Sequence, residues 1–445
     1  MLIVGGNQSA GGYEIANSIR YDKTTSQYLR RTCGSSASSY TLSLWAKNCE
    51  PQGGDTTAIY WNGAGAKINW EFNGISAIYW YDPETRTTSS YRDVSAWYHL
   101  VWKVSSNVGT LYVNGVAAPG LTSVSGIDSL NSGNFIYLGN DAGGYSPQNG
   151  YFSEVCFIDG TALDPTSFGE YDEDSGIWKP IDVSGLSFGS NGFYLDFEDS
   201  SALGNDVSGN NNDLTSAGFT SLNQTTDTPT NNFATYNPLM NKSSGVPTMS
   251  NGNLTLTTNS EEFGSVSSIG VSQGKWYCEI KWDSGLYGQI GITGDPIILS
   301  TNIYAYAGIT ADSWGWNYGG TVSNNGGIIA TYSSFATSDI LGIALDLDNN
   351  KLYFAKNGTW QNSADPAAGT NGISITSASS VAEGNYFIFI GNGSSAGNAT
   401  LSANFGNPPF TISSGNSDGN GYGNFEYTVP SGYYALNTKN LAQYG

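Results

Sequence analysis

Two stretches of this chain constrain its fold more than any other feature. HLVWKVSSNVGTLYVNG (99–115) and LGIALDLDNNKLYFAKNG (341–358) each read as a strand, a polar turn, a second strand containing Leu-Tyr, and a closing Asn-Gly. A period of two puts Leu100, Trp102 and Val104 on one face of the first hairpin. It puts Ile343, Leu345 and Leu347 on one face of the second, with Ala344, Asp346 and Asp348 opposite. Asn-Gly supplies the two positive-φ positions that a tight hairpin turn demands. TLSLWAKN (41–48), NFIYLGN (134–140), GYFSEVCFIDG (150–160) and GFYLDFED (192–199) extend the strand series in the first half. NGNLTLTT (251–258), GKWYCEIKW (274–282), GQIGITG (288–294) and NYFIFIGNG (385–393) do so in the second. TALDPTSFGEY (161–171) is the one stretch that suits a helical turn, with Pro165 near its start. No helix–strand alternation supports a parallel α/β fold. The expected fold is all-β: two antiparallel jelly-roll sandwiches joined by an extended connector.

Composition agrees. Charged residues are 12% of the chain, aromatics 13%, and Gly numbers 58. Gly costs roughly 1 kcal/mol at a helix position, whereas turns use it and pleated strands pack aromatics well. The length of 445 residues suggests more than one domain. Sixteen Lys and Arg against 37 Asp and Glu give a net charge of −21. Nucleic acid is therefore a poor partner, because binding it needs cations to displace counterions; an anionic membrane repels the chain for the same reason. The acidity suits a solubility role, or a protein exposed on an assembly that must not adhere to its neighbours; acidic surface can also attract Ca2+, and no cofactor is expected. Cys33, Cys49, Cys156 and Cys278 are too few and scattered for a disulfide framework or zinc site, and only Cys33 and Cys49 stand as a candidate pair. No segment approaches the ~20 apolar residues of a membrane span. MLIVGG lacks the basic start of a signal peptide.

The expected organisation is an N-terminal anchor segment (1–17), a first sandwich (18–215), an extended connector (216–248) and a second sandwich with a strand-like tail (249–445). The connector is placed on its Asn, Thr and Pro content and lack of period, with Phe233, Tyr236 and Leu239 pinning it to a domain surface.

The first block resembles a laminin G-like (concanavalin A-like) jelly roll. The matching residues are IRYDKTTSQYLRR (19–31), TLSLWAKN, the WYHLVWKV to TLYVNG hairpin, FIYLGN and YFSEVCFIDGTALDP (151–165). The second block resembles a SPRY domain in SIGVSQGKWYCEIKW (268–282), GQIGITG, DSWGWNYGG (312–320), LGIALDLDNNKLYFAKNGTW (341–360) and ANFGNPPF (403–410). FYLDFEDSSALGNDVSGNNNDLT (193–215), DTPTNNFATYNPL (227–239) and SGYYALNTKNL (431–441) are similar to segments of bacteriophage virion proteins, notably fibre-like proteins of aquatic phages. That resemblance implies a virion-surface protein, assembled in the host cytoplasm and contacting other virion proteins. A homo-trimer suits a fibre-like protein, although no heptad repeat supports one.

Concanavalin-like sandwiches also host glycoside hydrolases, which need two carboxylates facing each other across a cleft. No strand carries such a pattern; EYDEDSG (170–176) and DLD (346–348) read as solvated turn acids. His99 is the only histidine, set opposite Leu100, Trp102 and Val104, with no GxSxG nucleophile motif beside it. A non-enzymatic role is therefore expected. The binding candidates are aromatic. Trp314, Trp316 and Tyr318 share one strand face, with Asp312 and Asn317 beside them. Such a group suits a sugar, which offers apolar C–H faces ringed by hydroxyls, and it equally suits an inter-sheet core. Trp80, Tyr81 and Asp82 form a second candidate group, Asp82 as a turn former or a Ca2+ ligand. Three functions follow: an adhesin binding a host-surface glycan or protein, a decoration protein of capsid or tail without a host ligand, and, remotely, a glycan-cleaving enzyme.

Overall fold

The computed structural model describes residues 12–50, 56–61, 67–71, 77–80, 84–127, 130–140, 146–240, 247–258, 263–296, 306–392 and 398–445. They divide into two compact units with the boundary between Asn232 and Phe233. Among the described residues the second unit is a pair of sheets, and the first is a pair with a small two-stranded sheet, Gly169–Tyr171 against Trp178–Pro180, beside it.

In the first unit the Tyr40–Asn48 strand lies between Trp97–Ser105 and Gly150–Asp159 in a nine-stranded sheet. A seven-stranded sheet runs from Thr215–Ala217 through Tyr28–Thr32, Phe135–Leu138 and Thr56–Trp61 to Thr85–Arg86. Leu42, Leu44, Leu100, Trp102, Val104 and Phe157 join Leu29, Ile136, Leu138 and Trp70 in one core between the sheets. The hairpin turns as its sequence demands: Ser106 and Asn107, then Asn114 and Gly115, all have positive φ. The opposite face of the nine-stranded sheet is buried too. Phe168, Val183 and Phe188 cover Val101, Cys156 and Ile158, while Ile15 and Trp178 pack with Trp45. Pro165–Ser167 forms the expected turn of helix, of 3-10 type.

Part of the expected connector belongs to this first unit. Thr215–Ala217 pairs with Tyr28–Thr32, and Gln224–Thr225 pairs with Ser18–Tyr21. Asp227 accepts a 2.8 Å bond from Lys47, both side chains almost fully buried. Phe233 and Tyr236 are buried within the second unit, whereas Leu239 is exposed.

In the second unit Lys275–Gly285 lies between Ile340–Asp346 and Ala399–Asn404 in a nine-stranded sheet. A six-stranded sheet runs in the order Phe263–Val266, Phe387–Asn392, Gly288–Thr293, Ser313–Asn317, Thr321–Asn324, Gly327–Thr331. Ile343, Leu345 and Leu347 face the core with Trp276, Trp282, Ile290 and Trp316. Asn357 and Gly358 close the second hairpin at positive φ. The tail differs from the strand expected: Tyr434–Ala435 is its one strand, paired in parallel with Lys275–Gly285, and Thr438–Tyr444 is an α-helix capped by the Asn437 side chain. Buried carboxylates hold this tail. Glu279 accepts from the Glu426 and Tyr427 amides at 2.9 and 2.8 Å. Asp418 accepts from the Ala435 amide at 2.9 Å and the Asn440 side chain at 2.8 Å.

Candidate functional site

A cleft of about 580 Å³ opens in the second unit. One wall is the six-stranded sheet, which contributes Trp314, Asn324 and Ile329, with Tyr332 just beyond; the other is the loop around Asn362, Asn371, Ser374 and Thr376. The sheet wall depends on a close strand approach: a Cβ on Gly291 would stand 1.9 Å from the Trp314 carbonyl oxygen. Trp314 packs edge-on against Tyr386 at 5.9 Å, and the Tyr386 hydroxyl donates to the Thr376 carbonyl at 2.8 Å, tying the loop wall to the sheet. The Asn324 amide donates to the Ser313 carbonyl at 2.8 Å. Across the loop, Asn362 donates to the Asn371 carbonyl and Asn371 to the Ser363 carbonyl. Both asparagines sit at positive φ, a conformation their short polar side chains tolerate. Among the described residues no donor occupies their side-chain oxygens. The Lys351 ammonium donates to Ser374 at 2.9 Å. Among the described residues, none of the lining side chains carries a formal charge.

The residues singled out from the sequence are distributed unevenly about this cleft. Trp314 borders it while remaining 4% exposed. Trp316, on the same face two residues on, is fully buried between Phe335 and Phe354; it fills the core, because the second sheet covers that end of the strand. Tyr318 is partly exposed and edge-on to Tyr287. The Asn317 side chain accepts from the Thr321 amide at 2.9 Å and so shapes the turn between two strands. Asp312 is partly exposed, its backbone carbonyl accepting from the Gly294 amide. Trp80 ends the Ala77–Trp80 strand; Tyr81 and Asp82 lie outside the described residues. Tyr332, Asn362, Asn371, Ser374 and Thr376 carry no sequence signal beyond a polar, Gly-containing stretch. Their convergence is tertiary.

The first unit holds a serine–histidine contact that needs a chemical reading. Ser43 Oγ and His99 Nε2 are 2.8 Å apart, and His99 Nδ1 accepts from the Trp178 indole N–H at 2.9 Å. Accepting at Nδ1 puts the ring proton on Nε2, so the histidine donates to the serine and takes no proton from it. The ring is stacked between Trp45 and Trp178, and burial pushes its pKa down to about 3. The space around it leaves no room for a water molecule. This is a core contact, not a nucleophile with its base. The four cysteines are buried and none forms a disulfide; burial pushes Cys33 up to about 11 and Cys49 up to about 12, far from a reactive thiolate. Among the described residues, no group of three or more His, Cys, Asp or Glu could hold a metal ion, and no helix is long and apolar enough to cross a membrane.

Residues 23–166 match the family model of the concanavalin A-like lectin/glucanases superfamily, and residues 275–407 match the SPRY domain. The chain carries a concanavalin A-like domain and a SPRY domain. The candidate cleft lies in the SPRY unit. Similar solved structures include the SPRY domain of human HERC1, at 18% identity and a TM-score of 0.30, covering 38% of this chain and 96% of that one. Stonustoxin matches at 18% identity and a TM-score of 0.29, covering 38% and 27%. A protein of Bacteroides ovatus provisionally described as carbohydrate-binding matches at 17% identity and a TM-score of 0.31, covering 46% and 59%. No curated protein matches the chain.

Proposed function

We propose that this protein is a non-enzymatic adhesin on a bacteriophage virion surface, whose SPRY unit holds a neutral host-surface glycan in the cleft beside Trp314. The observation that carries the reading is the lining of that cleft. Trp314 and Tyr332 border the cleft with aromatic rings, Asn362, Asn371, Ser374 and Thr376 offer amides and hydroxyls, and among the described residues no lining side chain is charged. Uncharged groups that donate and accept suit sugar hydroxyls, while aromatic and aliphatic surface suits pyranose C–H faces. A phosphorylated ligand would find no cation among the described lining residues, and a basic one no carboxylate. The buried, reversed Ser43–His99 contact supports a binding role over a hydrolytic one. The virion setting draws on the resemblance of 193–215, 227–239 and 431–441 to phage segments, and on the net charge of −21.

The test is binding of the purified protein to intact host bacteria and to their isolated surface polysaccharide. Saturable binding is expected, and Tyr332→Ala or Asn371→Ala abolishes it while circular dichroism stays native. Loss of wild-type binding in EDTA would assign a Ca2+ ion to the complex. A folded wild type that binds neither cells nor polysaccharide refutes the adhesin reading and leaves the decoration role.

A further inference from the structure

The outer face of the seven-stranded sheet in the first unit carries a second, chemically different site. Leu29 lies in the core, so alternation turns its neighbours Tyr28 and Arg30 to the outer face. Ile136 and Leu138 are core residues as well, which turns Phe135 and Tyr137 outward. The strands register Arg30 opposite Tyr137. The Arg30 guanidinium lies 5.0 Å from the centre of the Phe135 ring and 5.8 Å from that of Tyr28, and is hydrogen-bonded to Tyr137. Tyr28 and Phe135 each meet Tyr137 edge-on, at 5.6 and 5.8 Å. Phe135 is 37% exposed.

This cation is held differently from many of the lysines. Acidic residues outnumber Lys and Arg by 37 to 16, and Lys23, Lys103, Lys179, Lys275, Lys281 and Lys356 each sit against an Asp or Glu. Arg30 takes no carboxylate partner among the described residues; aromatic rings surround it instead. Packing between rings fixes the planar fork before any ligand arrives, so little side-chain freedom remains to be lost on binding.

We propose that this face binds a carboxylate-bearing sugar, a uronate unit of an acidic polysaccharide. The guanidinium fork pairs with both carboxylate oxygens, and the flanking rings take the C–H face of the pyranose. A ligand that joins a carboxylate to a rigid apolar face fits this arrangement. An Asp or Glu side chain brings the carboxylate without that face. The site is independent of the uncharged cleft in the SPRY unit.

The experiment is calorimetric titration of the full-length protein with tetragalacturonate, its methyl ester and a tetraglutamate peptide, at low and high salt. Tetragalacturonate is expected to bind saturably and to weaken with salt, with the ester and the peptide at least about tenfold weaker. Arg30→Gln loses the binding, Arg30→Lys keeps a fraction of it, and Phe135→Ala weakens it, all with a native circular dichroism spectrum. Tyr332→Ala, in the other unit, leaves it unchanged. Equal binding of the methyl ester, equal binding of tetraglutamate, unchanged binding in Arg30→Gln, or no binding of tetragalacturonate by the wild type would each overturn the proposal.

Discussion

Acid should act on the first unit through two buried groups of opposite sign. His99 is neutral in the fold and its pKa falls from 6.5 to about 3 through burial. Glu154 sits at positive φ in a strand irregularity and accepts from Tyr194 and Tyr13 at 2.6 and 3.2 Å. Burial raises it from 4.5 to about 7, with Asp196 and Glu198 adding to the rise and the two tyrosine bonds opposing it. Between pH 6.5 and 3 the unfolded chain protonates His99 and the fold does not, so stability is lost as pH falls. At about 1.36 kcal/mol per unit the loss is about 2.7 kcal/mol at pH 4.5 and about 4 at pH 3. Glu154 acts the other way: its folded pKa is the higher one, so its contribution is full below 4.5 and is lost as pH rises through about 7. Going from pH 7 to 4.5 it returns about 2.6 kcal/mol. The two therefore nearly cancel down to about pH 4.5, and below that the His99 loss stands alone. The perturbation that separates them is His99→Gln, which can still accept from Trp178 and donate to Ser43 but carries no titrating ring. Urea denaturation followed by near-ultraviolet circular dichroism across this pH range gives the wild-type-minus-variant stability. That difference should fall by roughly 3 kcal/mol from pH 7 to 4.5 and continue downward to pH 3. Glu154→Gln should give a difference of the opposite slope between pH 4.5 and 7. A His99→Gln difference that stays flat across pH would refute the reasoning.

Glu279→Ala leaves the Glu426 and Tyr427 amides without their acceptor and should destabilise the second unit by about 3–5 kcal/mol. Hydrogen exchange at those two amides should speed up ahead of the sheet amides. Lys47→Met removes the cation paired with the buried Asp227 carboxylate, which keeps the Trp97 indole N–H, and should remove about 3–5 kcal/mol from the first unit, read as a lower urea midpoint; adding Asp227→Leu should restore most of it. Gly291→Ala forces the strand bearing Trp314 away by way of the Trp314 carbonyl. It should lower stability by about 1–3 kcal/mol and weaken polysaccharide binding more than the uronate binding assigned to Arg30.

The sequence by itself determined the strands, the hairpins and the inward face of each. Leu100, Trp102 and Val104, and Ile343, Leu345 and Leu347, reach their cores because side-chain direction along a strand is a local property with a period of two. The Asn-Gly turns were legible for the same reason: positive φ is a property of the residue itself. What lies against the other face is not local. Ser43, Trp45 and His99 occupy the polar phase of their strands and are buried, because segments distant in sequence, those of Ile15, Phe168 and Trp178 among them, fold over that face. The tail became a short pairing and a helix because the buried carboxylate Glu279, distant in the chain, captures its Glu426 and Tyr427 amides, and Asp418 within the tail captures the Ala435 amide. Trp314 and Trp316 were indistinguishable in sequence; both join the core, and only tertiary packing left Trp314 at the border of the cleft. The cleft itself joins residues from 314 to 376, and the Arg30 cluster joins strands a hundred residues apart. Long-range sheet pairing set both, since a ligand site needs groups to converge in space, and no short-range pattern encodes that convergence.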